Sequence, residues 1–172
     1  MGVLVAAALA FLALSPAPAA AAPPAAPAVR VPLLKGGEIF DSRALIGKKV
    51  LVLRFQASWC KTCAVQAAGL QRVYERYRSR DVEILAIHVD DTERDARAFL
   101  ETHHATYDGT IDPSFRVANR FGVKRVPYTV IVNKRGEIAA RLDATADEAR
   151  LGAAIETALK PPVRRRAFAR PS

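Results

Sequence analysis

Three stretches of this chain are almost wholly apolar and only five to eight residues long: 50–55 (VLVLRF), 82–89 (VEILAIHV) and 128–132 (YTVIV). Strands that are apolar on both sides must be covered on both sides, so the chain is held to an α/β domain with helices over its sheet. Residues 137–142 alternate more and follow the turn Asn133-Lys134-Arg135-Gly136, which suits an antiparallel partner. Leu33-Leu34 and Glu38-Ile39-Phe40, turning on Gly36-Gly37, suggest a short N-terminal edge hairpin. The segments between supply helices. Cys63, Ala67, Leu70, Tyr74 and Tyr77 recur at helical spacing and share one face. A second helix is expected from Thr92, burying Ala96, Phe99 and Leu100. A short third runs from Asp112, with Pro113 at its first position, to just before Gly122. The last opens at residues 145–148, buries Leu151, Ile155 and Leu159, and stops at Pro161-Pro162.

The foldable part starts late, because the first charged side chain is Arg30. Residues 3–14 form an unbroken apolar run, followed by Ser15-Pro16 and small residues suited to cleavage near Ala19 to Ala22. This is the pattern of a secretory leader over residues 1–22, either cleaved or kept as an anchor. A spanning helix needs about 20 apolar residues, and Pro16 and Pro18 interrupt this run early. Residues 23–30 read as a Pro/Ala-rich spacer without a core, 31–160 as one domain, and 161–172 as a basic disordered tail. The leader points to a periplasmic or otherwise extracytoplasmic protein.

The net charge of +9 resembles that of a nucleic-acid binder. The basic residues are scattered, however, apart from Arg164, Arg165, Arg166 and Arg170, and no stacking aromatics are interleaved with them. A solvated basic surface accounts for the balance.

The chain has two cysteines, Cys60 and Cys63, and three histidines, His88, His103 and His104. One cysteine pair without a histidine at finger spacing does not make a structural zinc site, and a bridge over two residues closes too small a loop to stabilise a fold. The pair is therefore there for chemistry. It follows a strand and opens a helix, the setting in which Cys-x-x-Cys signals redox function. Unpaired N–H groups and the helix dipole favour a thiolate at Cys60, making it the nucleophile. Cys63, three residues on, is the resolving thiol. His88 reads as a satisfied core histidine, and His103-His104 as a helix end that suits imidazolium.

The strand, Trp59-Cys60-Lys61-Thr62-Cys63, then Phe121-Gly122-Val123 and Val126-Pro127-Tyr128-Thr129 resemble the thioredoxin superfamily, and within it the TlpA/ResA-type extracytoplasmic thiol–disulfide oxidoreductases. The resemblance runs from about Leu33 to Leu159. It implies a thioredoxin-like fold, a central mixed β-sheet flanked by helices. It implies a cis bond before Pro127, and substrate docking at Val126 and Pro127 beside the disulfide. Trp59 is expected to shield the disulfide and take part in docking. The sequence departs from the family at three positions. Thr62 replaces a usual proline, beside the cation Lys61. Arg54 stands where thioredoxin keeps a buried carboxylate, and Gln66 where many relatives have Glu. Arg54 then either favours the thiolate or snorkels out of the strand end.

What the resemblance implies is a periplasmic enzyme that exchanges electrons with cysteine pairs of other proteins. It would act as a reductase of the kind serving cytochrome c maturation or copper-site assembly. No cofactor and no metal are needed, the protein is a monomer, and a reductase draws on an electron donor in the membrane. The alternative from another class is a non-catalytic Cu(I) chaperone using the same two thiolates. A peroxide-reducing cysteine of related fold has Thr and Pro shortly upstream, where this chain has Gln56, Ala57 and Ser58.

Overall fold

The computed structural model describes residues 23–161. Its centre is a five-stranded mixed sheet in the order β5-β4-β3-β6-β7. The strands β3 (Val50–Gln56), β4 (Val82–Val89) and β5 (Asp108–Asp112) are parallel, while β6 (Tyr128–Val132) and β7 (Ile138–Leu142) run antiparallel to their neighbours. Every residue of β3 is buried, as expected of the strand in the middle. Its side chains alternate between two cores. Leu51, Leu53 and Phe55 join one with Val117, Phe121 and Val123, and Val50 and Val52 join the other with Leu70, Val73, Leu151 and Ile155.

The helices are α1 (Lys61–Tyr77), α2 (Glu93–Thr102), α3 (Arg116–Arg120) and α4 (Glu148–Leu159). Caps fix their starts: Thr92 Oγ1 accepts from Asp95 N at 3.1 Å and Asp147 Oδ1 from Arg150 N at 2.8 Å. On α1 the buried face holds Cys63, Ala67, Leu70 and Tyr77 as expected, with Gln71 and Val73 in addition.

Two elements depart from the sequence-based expectation. β5 (DGTID) has little apolar content, and its identity as a strand comes from pairing with β4. Gly109 lets the neighbouring elements close in: a Cβ there would lie 2.7 Å from Leu100 Cδ1 and 3.1 Å from Leu34 Cδ1. Because Asp112 ends β5, the third helix starts at Arg116 and not at Asp112. The Asp112 carboxylate instead accepts from Ala118 N at 2.8 Å.

The hairpin forms two to three residues earlier on its first arm than expected. β1 (Arg30–Pro32) pairs with β2 (Ile39–Asp41), with Gly36 and Gly37 at φ +77° and +71° in the connection. Leu33-Leu34 fall in the loop, where Leu34 N donates to Gly109 O at 2.7 Å. The reading of residues 23–30 as a coreless spacer is corrected. Ala25 bridges to Glu137, Ala26 N donates to Gly136 O at 2.8 Å, and Val29 is fully buried. Its alanines and prolines are small enough to lie flat on the domain. The expected leader and all but the first residue of the expected tail lie outside the described residues. No described helix is long and apolar enough to cross a membrane.

Candidate active site

β3 delivers the chain to its carboxyl end at Gln56, and Ala57-Ser58-Trp59 carries it to the start of α1. Cys60 is the N-cap of that helix, in extended conformation, and its Sγ accepts from Cys63 N at 3.1 Å. The two cysteines are joined as a disulfide with Cα atoms 5.2 Å apart. They are not equivalent: Cys60 is 7% exposed and Cys63 only 1%. The outer sulfur is therefore the one aligned with the helix N-terminus, where backbone N–H groups stabilise negative charge.

The pair lies in a small apolar cluster with Ala57, Ala67 and Phe99, and Ala64 and Val126 pack against it. Val126 comes from a segment more than sixty residues away in sequence. It precedes Pro127 through a cis peptide bond, and Pro127 itself is buried. Trp59 is 59% exposed, its indole Nε1 donating to Asp90 O at 3.1 Å. Lys61 and Thr62 are exposed on the first turn of α1. The structure thus brings Trp59, Lys61, Thr62 and Val126 around the cysteines, with Pro127 next in the chain.

Arg54 is elsewhere. It neither snorkels into solvent nor lines the surface, being 5% exposed. Its Nη2 donates to Gln66 Oε1 at 2.8 Å and its Nη1 to Thr129 Oγ1 at 3.2 Å, while Nε has no partner. Gln66 in turn donates to Ala144 O at 2.8 Å, which fixes its orientation. Arg54 points to the α1 side because it shares the face of β3 with Val50 and Val52. Gln66 gives it a carbonyl under the helix. Burial pulls its guanidinium down to about 10, partly offset by Tyr107, so it is still a cation at neutral pH. Of the two expectations for Arg54, snorkelling out of the strand end is therefore corrected: it is a buried charge below the helix, bonded to Gln66 one turn along from Cys63.

A network that the sequence did not reveal holds the approach to Cys60. The buried Asp91 carboxylate accepts from Ser58 N at 2.7 Å and from Ser58 Oγ at 2.5 Å. It also accepts from His88 Nδ1 at 3.0 Å. A carboxylate only accepts, so Nδ1 carries the proton and Nε2 accepts from Gln56 Nε2 at 2.9 Å. Burial lowers the His88 pKa, against the raising effect of Asp91, which agrees with a neutral ring in the core. Asp91 follows β4 by two residues and resembles any acid in a loop; only folding shows that it reaches Ser58.

Removing this carboxylate strands three donors. Asp91→Ala is expected to cost about 2–4 kcal/mol of stability, measured by urea denaturation of the oxidised protein. A loss below about 0.5 kcal/mol would show that the network carries no weight.

Among the described residues, no three or more His, Cys, Asp or Glu side chains come together as a metal site.

A profile of the AhpC/TSA family matches residues 23–141. The chain belongs to the AhpC/TSA family. This AhpC/TSA chain is 28% identical over 102 residues to thiol-disulfide oxidoreductase ResA of Halalkalibacterium halodurans, covering 59% of this chain and 57% of the relative. The match to ResA of Bacillus cereus likewise spans 61% of that relative's length. Among solved structures, a thiol:disulfide interchange protein of the thioredoxin family from Chlorobium tepidum superposes with a TM-score of 0.74 at 20% identity, covering 83% of this chain and all of the other. A secreted Mycobacterium tuberculosis disulfide oxidoreductase, homologous to Escherichia coli DsbE, superposes with a TM-score of 0.66 at 21% identity, covering 74% of this chain and 94% of the other. At these identities the superpositions establish the thioredoxin-like fold of this AhpC/TSA chain.

Proposed function

We propose that this protein is a thiol–disulfide oxidoreductase that exchanges electrons with cysteine pairs of other proteins through Cys60 and Cys63. The observation that carries this reading is the placement of Cys60 Sγ, at the helix N-cap, accepting the Cys63 N–H, with the second sulfur buried behind it. Cys60 is the nucleophile. Its thiolate attacks one sulfur of a target disulfide; the Cys60–target bond forms, the target S–S bond breaks, and the electron pair leaves on the other target sulfur, which takes up a proton. Cys63 then loses its proton and attacks Cys60 Sγ. The target departs as a dithiol and the Cys60–Cys63 disulfide forms, so two electrons have passed to the target.

Trp59, Lys61, Thr62, Val126 and Pro127 form the docking rim, and Arg54 supports the thiolate from beneath. Resemblance to ResA-type proteins supports a reductase, of the kind used in cytochrome c maturation or copper-site assembly, re-reduced by a membrane electron donor. We place it outside the cytoplasm, on the strength of the leader-like residues 1–22, and take it to act as a monomer.

The test is catalysed exchange with a model protein. With dithiothreitol as electron source, the chain is expected to raise the reduction rate of an interchain protein disulfide well over tenfold above the uncatalysed rate. A rate equal to the background, in this direction and in dithiol oxidation, sinks the proposal.

A further inference from the structure

The feature around the disulfide that the exchange chemistry does not explain is its charge. From Pro113 to Pro127 the sequence holds Arg116, Arg120, Lys124 and Arg125 and no acidic residue. This run leads directly into Val126, which packs on the Cys60–Cys63 cluster. Lys61 follows Cys60 directly and is exposed, as are Lys124 and Arg125. Some surface cations are matched by acids: Glu148 pairs with Arg72 and Arg76, Glu156 with Arg80, and Glu93 with Arg97. Lys61, Lys124 and Arg125 have no such partner among the described residues. Two acids are tied to this end of the site: Asp90, exposed, whose carbonyl holds the Trp59 indole, and Asp91, buried and occupied by Ser58 and His88. They are outnumbered. Exposed like charges beside a reactive opening attract a partner of opposite sign.

We propose, on the basis of the exchange reading above, that the preferred targets are protein segments carrying acidic residues beside the reacting cysteine, drawn in by Lys61, Lys124 and Arg125. The occupant is an extended acidic stretch of a target polypeptide. Its disulfide meets Cys60 while its carboxylates lie against these three cations. The exchange step is unchanged in its bonds and electrons. The charges raise the rate of encounter and bias its orientation, which makes the effect dependent on ionic strength.

The test uses three short peptides, each a mixed disulfide with nitrothiobenzoate and identical except for the residues flanking cysteine: two Glu, two Gln or two Lys. The reduced full-length chain is mixed with each, and chromophore release gives the second-order rate constant. At low salt the Glu peptide is expected to react about tenfold faster than the Lys peptide, the gap closing to about twofold near 0.5 M salt. The double variant Lys124→Glu with Arg125→Glu is expected to reverse the order. Equal rates for the three peptides at low salt overturn the acidic preference and leave the exchange reading standing. So does an order that the double variant fails to change. Reaction with none of the peptides overturns both.

Discussion

Replacing Cys63 with alanine is expected to lower turnover on a protein disulfide by about a thousandfold or more, while leaving Cys60 able to react once with each target. The argument rests on the unequal exposure of the two sulfurs. Cys60, at 7%, is the one that a target can reach, and Cys63, at 1%, is reached only from Cys60. After the first attack, the wild-type chain has a second thiol already within bonding reach, which is worth a very high effective concentration. Cys63→Ala removes it, so the mixed disulfide must wait for a thiol from solution. Non-reducing electrophoresis should therefore show a persistent one-to-one adduct with Cys63→Ala and none with Cys60→Ser. Adduct formation by Cys60→Ser, or normal turnover by Cys63→Ala, would reverse the roles assigned to the sulfurs.

Arg54→Met is expected to leave the fold standing and to make the disulfide less oxidising. The guanidinium is bonded to Gln66, six residues beyond Cys60, a rise of about 9 Å along the axis. At an effective dielectric constant near 20, a cation at such range stabilises a thiolate by about 1–2 kcal/mol. Losing it should raise the Cys60 thiol pKa by about 1 and lower the reduction potential by about 30 mV. Folding should change by about 1 kcal/mol or less, because a buried charge with an unpartnered Nε is exchanged for a side chain of similar size. Arg54→Glu is the opposite case. It buries a carboxylate beside acceptors and should cost about 3–5 kcal/mol. Thiolate absorbance against pH, and equilibration with glutathione, measure the first pair of effects. A potential identical to wild type in Arg54→Met would mean that the cation is purely structural.

The sulfurs were legible in the sequence because their chemistry is local: two cysteines three apart at the start of a helix need nothing distant to define them. The buried strands were legible for a similar reason, since their apolar runs are self-contained. β5 was not, because Asp108–Asp112 has no pattern of its own. Its pairing with β4, and the room Gly109 leaves for Leu100 and Leu34, are tertiary. The fate of Arg54 was equally hidden. A cation on a strand reaches water or stays inside according to what the helix above offers it, and here that is Gln66. Asp91 gave no signal, because its partner Ser58 lies 33 residues away. The alanines and prolines of residues 23–30 suggested a free spacer, since their contribution is close fit and backbone bonding instead of apolar bulk.

Among the described residues, Val126 is the side chain that packs both on the cysteine cluster and on the core formed by Leu53, Phe55 and Phe121. The helix bearing the sulfurs rests on the opposite side of β3, with Leu70 and Val73. The sulfurs and the Val126 side of the docking rim are thus mounted on different foundations. A lineage can redesign that side of the rim, by repacking around α3, without retuning how readily its sulfurs give up electrons.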